Sequence, residues 1–250
     1  MSMNEPADQI QAVNNPQQAI EQLVGEQFIE WLMDQIVRDL AAWPALRVLR
    51  DSQAQPEKLR RFLLQRELAR QAFWGGRESE PGFLGFAVAN LSESDDPDAE
   101  AALEIIEAKL AEHQRAAQSS DLSEILRFLA PAGDETAKAK PKEAVRHYIA
   151  EVSELISASD WQTGLGAIAA DEWSWAYEYS ALKTLITSLP GGSALHLPNG
   201  WENSKAMLEV GRLLDRIVFD ETAKQLVWDG ITGALAAKRQ LLDDLIKYLQ

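Results

Sequence analysis

Cysteine is absent from the 250-residue chain. That removes disulfides, thiolate metal sites, thiol nucleophiles and iron–sulfur ligands together. Histidine is nearly as scarce, with His113, His147 and His196 making up the whole set. Positive charge is short as well: 24 Lys and Arg stand against 39 Asp and Glu, a formal net charge of −15. A field of that sign repels nucleic-acid phosphates and anionic lipid heads, so neither nucleic acid nor membrane is expected as a partner. No run reaches the ~18 apolar residues that a membrane-spanning helix needs. The start, Met1-Ser2-Met3-Asn4-Glu5-Pro6, has neither the basic region nor the apolar stretch of a secretory signal. A cytoplasmic protein is the expectation.

What is present is a hydrophobic fraction of 46% that includes 8 Trp, enough for one sizeable core. Strand patterning is nearly missing, and the spacing predicts an all-α single-domain bundle of about 8–10 helices. Residues 1–15 read as a flexible N-terminus and residues 16–250 as the helical domain. Pro16 opens a long predicted helix carrying Ile20, Leu23, Phe28, Leu32, Ile36 and Leu40, which Trp43-Pro44 interrupts. A short helix follows from Pro44 to about Arg50, then a longer one from Pro56 to Trp74, stopped by Gly75-Gly76. Pro81 to Leu91 is apolar nearly all round and is assigned to a buried helix. Further helices are predicted from Asp96-Pro97 to about Ala117, Asp121 to Ala130, Lys142 to Ser157, Asp160 to Leu189, Trp201 to Val218 and Asp220 to Leu249. Residues 131–141 read as an exposed connector, and Pro190-Gly191-Gly192 as a decisive break.

Candidate chemistry is concentrated in Asp171-Glu172-Trp173-Ser174-Trp175-Ala176-Tyr177-Glu178-Tyr179. Glu172 and Trp175 share a helix face, with Tyr179 one turn on. Turned inward, Glu172 would lie against aromatic rings, where desolvation raises a carboxyl pKa toward acid–base work. The alternative is an amphipathic helix with Trp173 and Tyr177 in the core and the carboxylates in water. Glu143 and His147, four apart, have a spacing that can hold a metal, although their neighbours read as a solvated stripe. Glu93 with Glu100, and Glu202 with Glu209, are carboxylate pairs two helical turns apart. The Glu-x-x-His signature of di-iron four-helix bundles is missing, since Leu110 and Ala144 stand three residues before His113 and His147.

From about Ala42 onward the order of elements resembles the heme-oxygenase-like superfamily, which includes the TenA thiaminases, the PQQ-synthesis protein C oxidases and the heme-oxygenase-like di-iron oxidases. Three segments carry the likeness: Leu59 to Phe73, Pro81 to Ser94, and Ala158 to Tyr179, where Glu172 matches a glutamate near the middle of the corresponding helix. The group's Asn-Leu-x-Asp-Glu motif reads Asn90-Leu91-Ser92-Glu93-Ser94, so Ser94 stands at the ligand position, and Ala101 stands where a histidine is expected. The late His-x-x-x-Asp-x-x-His motif has no counterpart, and Trp43-Pro44 takes the place of a haem-ligating His-Pro. The resemblance therefore implies an oxidase- or oxygenase-like enzyme of small-molecule biosynthesis or oxidation without the usual haem or di-iron site. Its alternative is a non-catalytic binding or partner protein on the same scaffold. Glu172 and Tyr179 are the catalytic candidates, and Trp173, Trp175 and Gln65 the substrate-binding ones. An all-carboxylate metal set of Glu172, Glu202 and Glu209 stays open, as does a homodimer. The partner expected is a small-molecule substrate or another protein, and the cofactor is undetermined.

Overall fold

A computed structural model describes residues 15–51, 55–75, 82–116, 139–158, 160–192 and 220–250, with the isolated positions 125, 129 and 214. Among these residues the protein is all-α, with nine α-helices and no strand. They are α1 (Pro16–Gln22), α2 (Glu26–Ala42), α3 (Pro44–Asp51), α4 (Pro56–Trp74), α5 (Phe83–Ser92), α6 (Pro97–Ala116), α7 (Glu143–Ile156), α8 (Trp161–Ser188) and α9 (Glu221–Leu245), the last running into a 3₁₀ turn, Ile246–Tyr248. Apart from positions 125, 129 and 214, the predicted helices over 121–130 and 201–218, with most of the connector over 131–141, fall outside the described residues. No helix among the described residues is long and apolar enough to cross a membrane.

One boundary differs from the sequence expectation. The single helix from Pro16 to Leu40 is two, because α1 ends at Gln22, Leu23 is extended, and Gly25 adopts φ 50°, a left-handed conformation that side-chain-bearing residues avoid. The five-residue step from Leu23 to Phe28 in the apolar pattern is the trace of that break. Elsewhere Pro and Gly punctuate as expected. Pro16, Pro56 and Pro97 open helices, Gly75 (φ 100°) closes α4, and Gly191 (φ 81°) follows α8.

The core is built on α8 and α9, the most extensive helix pair, with α7 packed on both. Small residues permit that closeness. A Cβ on Gly166 would stand 2.2 Å from the Val227 carbonyl oxygen, and one on Gly230 2.0 Å from that of Thr163. The two backbones touch where they cross, and Trp31, Trp43, Phe28 and Phe62 fill the surrounding interior. The α7–α8 corner is tied by Asn90 of α5, whose Nδ2 donates to the carbonyls of Ile156 (2.9 Å) and Ala158 (2.7 Å).

Helix α1 is held by a buried lysine. Lys224 of α9 donates from Nζ to the Ile20 (3.0 Å) and Leu23 (2.8 Å) carbonyls, placing an ammonium at the negative end of α1. Lys224→Met leaves those buried acceptors unmet, and is expected to lower stability by about 2 kcal/mol. Limited proteolysis should then cut first around residues 16–25. Unchanged protection there would contradict this role for the lysine.

Candidate functional site

Charged residues stand where an apolar seam is expected in three of these helices. In α4, Arg66 lies seven residues from both Leu59 and Phe73; in α9, Lys238 lies seven from Ile231 and Leu245; all four flanking residues are buried. In α8, Asp171 and Glu178 are themselves seven apart. Seven residues is two turns, so each charge points into the bundle with its apolar neighbours. Arg66, Lys238, Asp171 and Glu178 are each only 1–2% exposed.

Asp171 is the hub. Its Oδ1 accepts from the Tyr148 hydroxyl of α7 and, at 3.4 Å, from Lys238 Nζ; its Oδ2 accepts from Trp175 Nε1 at 2.9 Å. Glu178 Oε1 accepts from Arg66 Nε at 2.6 Å, while Oε2 lies 3.9 Å from Lys238 Nζ. The Trp175 ring carries both cations, with Lys238 Nζ 3.1 Å and the Arg66 guanidinium carbon 4.1 Å from its centroid. Two positive and two negative groups balance, as an interior of low dielectric demands.

Burial outweighs the attraction of Asp171 and Glu178 for Lys238 and brings its pKa down to about 8. Burial, then the Asp171 charge, raises the Tyr148 pKa well above the usual phenol value. From about pH 8 upward the folded chain releases the Lys238 proton while the unfolded chain holds it to about 10.5, so stability rises with pH in that window. Above about pH 10 the unfolded tyrosine ionises and the folded one does not, which reverses the slope. The expected gain between pH 8 and 10 is on the order of 2 kcal/mol. Urea unfolding of wild type against Lys238→Met across that range checks it, because the methionine chain lacks the rise.

The residues singled out in the sequence fall as follows. Trp175 belongs to the cluster. Trp173 and Tyr179 are buried on α8, and Glu172 beside them is half-buried with one carboxylate oxygen shielded from solvent. Gln65 is engaged with main chain: its Nε2 donates to the Lys140 carbonyl (3.2 Å), and its Oε1 accepts from the Lys142 amide (2.7 Å). It thus fixes the approach to α7. Glu93 and Glu100 are exposed; His147 is exposed and pairs with Glu151 at 3.1 Å rather than with Glu143. His196, Glu202 and Glu209 lie outside the described residues, and His113 beyond the described side chains. Tyr148 lies on the buried face of α7 with Val145 and Val152. Arg66 and Lys238 escape a reading by composition, because a lone charge on an amphipathic helix usually marks its solvated side. The seven-residue interruption of an apolar seam is the signal that finds them.

Among the described residues, the positions matched to haem or di-iron ligands do not fit such a group. Ser94 accepts a hydrogen bond from the Asp96 amide (3.2 Å) as part of a loop, Ala101 is exposed, and the Trp43 indole donates to Asp39 (3.0 Å). Asp171 and Glu178 already have Lys238 and Arg66 as countercharges. Among the described residues no group of three His, Asp or Glu could hold a metal ion. No protein-family model and no curated protein matches the chain. Fold and site together define an all-α helical protein with a buried, charge-balanced polar centre.

Proposed function

We propose that this chain is a cytoplasmic protein of small-molecule metabolism on a heme-oxygenase-like helical scaffold, whose working centre is the Lys238–Asp171–Tyr148 set and not a haem or di-iron site. The link to that superfamily is an analogy of fold. The observation that carries the proposal is an amine of pKa about 8, buried between two carboxylates and a phenol. Helical bundles build their sites from side chains on facing helices. An amine with that pKa holds a proton at Nζ and can yield it near neutral pH, which is what acid–base work on a bound molecule requires. Asp171 keeps the amine and the Tyr148 hydroxyl on one oxygen, and Trp175 with Trp173 and Tyr179 supplies apolar surface nearby on α8. Glu172 and Tyr179 extend the same reading along that helix.

The test is a thermal-shift screen of soluble amines, carboxylic acids and aromatic metabolites, followed by product analysis for each compound that shifts the wild type. Shifts that vanish in Lys238→Met and Asp171→Asn, with turnover whose pH profile has a limb near 8, support the reading. Shifts unaffected by both substitutions overturn it. The charge balance favours a second reading, a non-catalytic binder on the same scaffold, for which the same compounds shift the protein and none is converted.

A further inference from the structure

The Lys238 ammonium is held from several sides by groups that do not need it in order to stay where they are. The Tyr148 hydroxyl and the Trp175 indole N–H fix the two oxygens of Asp171. Arg66 fixes Glu178 through Oε1. The Trp175 ring is thereby anchored beneath the ammonium, and the Tyr148 ring lies 5.5 Å from Nζ. Glu178 Oε2 accepts no hydrogen bond among the described residues and lies 3.9 Å from Nζ.

We propose that Lys238 is the tethered occupant of a primary-ammonium site made by Asp171, Glu178, Trp175 and Tyr148, and that the site takes a free alkylammonium when the lysine side chain is cut back. The inference goes beyond the functional reading above and does not require Lys238 to take part in any reaction. Three features set the ligand class. Removing the lysine leaves two carboxylates against one guanidinium in a dry interior, so the vacated space calls for a cation. Asp171 Oδ1 and Glu178 Oε2 ask for N–H donors, which a primary ammonium has and a quaternary one lacks. The aromatic ring accepts the remaining face of the cation. Because the walls are fixed by their own bonds, the free ligand need not organise them, which favours its binding.

Lys238→Ala removes three carbons and the nitrogen, so n-propylammonium is the matching probe. Thermal unfolding of the full chain at pH 7 is followed with n-propylammonium chloride up to about 100 mM, and with n-propanol and tetramethylammonium chloride as controls. Lys238→Ala is expected to melt ~10 °C below wild type. n-Propylammonium should restore at least about half of that difference, while the wild type and both controls barely move. In the double variant Asp171→Asn/Lys238→Ala the apparent affinity for the amine should fall roughly tenfold or more. Equal rescue by n-propanol would show cavity filling only, equal rescue by tetramethylammonium a general salt effect, and either result, or no rescue, overturns the proposal. Should Lys238→Ala not fold unaided, refolding from urea decides. A severalfold gain in soluble helical protein with n-propylammonium alone supports the site, and no gain refutes it. None of these readings involves a substrate, so they stand or fall apart from the proposed function.

Discussion

Gly166→Ala and Gly230→Ala chains are expected to be among the least stable single variants of this protein. A methyl group on either glycine would sit 2.0–2.2 Å from a carbonyl oxygen of the facing helix, well inside van der Waals contact. The obstacle is backbone, which cannot rotate away as a side chain can, so α8 and α9 must part along their length and the packing around the crossing loosens with them. The loss should reach about 4 kcal/mol or more, despite the ~1 kcal/mol by which alanine favours a helix over glycine. Gly233→Ala is the control. Its added methyl meets only side-chain carbons of Leu155, the nearest at 3.0 Å, and these can shift. That variant should stay within about 1 kcal/mol of wild type. Guanidinium unfolding measures all three, and a Gly166→Ala protein as stable as Gly233→Ala would mean that the crossing is looser than described.

Asp171→Ala is expected to lose about 3–5 kcal/mol, because it strips Lys238, Tyr148 and the Trp175 indole of a shared acceptor and leaves a positive excess in the interior. The informative comparison is a cycle with Lys238→Met. If the two groups answer each other's charge, the double variant loses much less than the sum of the single losses. Replacing all four charges by apolar residues of similar size should leave stability near that of wild type, or raise it. Additive losses in the cycle would contradict the hub role of Asp171.

Much of the fold is legible in the sequence because its punctuation is strong. Proline opens α1, α3, α4 and α6, and glycine closes α4. The helices from Lys142 and from Asp160 start within a residue of their expected positions, although the Asp160 side chain makes no capping hydrogen bond. Gly25 is harder to read, since a lone glycine inside an apolar helical pattern more often continues a helix than breaks it. The centre is legible in part. The segment Asp171 to Tyr179 announces itself by its carboxylates and rings, and Trp175 is reached from it. Which carboxylates join Trp175 depends on helical phase, and one residue is about 100° of rotation. Asp171 and Glu178 lie four before and three after Trp175; Glu172 and Tyr179 lie three before and four after. Spacing alone does not separate the two sets. The partners from α4, α7 and α9 depend on contacts 23 to 112 residues apart in sequence, from Tyr148 with Asp171 to Arg66 with Glu178, which periodicity within one helix cannot supply.

The clasp between Lys224 and the end of α1 joins residues about 200 apart. On a ribosome adding ~5–20 residues per second, α1 emerges roughly 10–40 s before the lysine that receives it. Through that interval the apolar face of α1, with Ile20 and Leu23, has no α9 to dock on. Closure of the N-terminal part is therefore a late event of biosynthesis, and chaperone contacts during translation are expected to concentrate there.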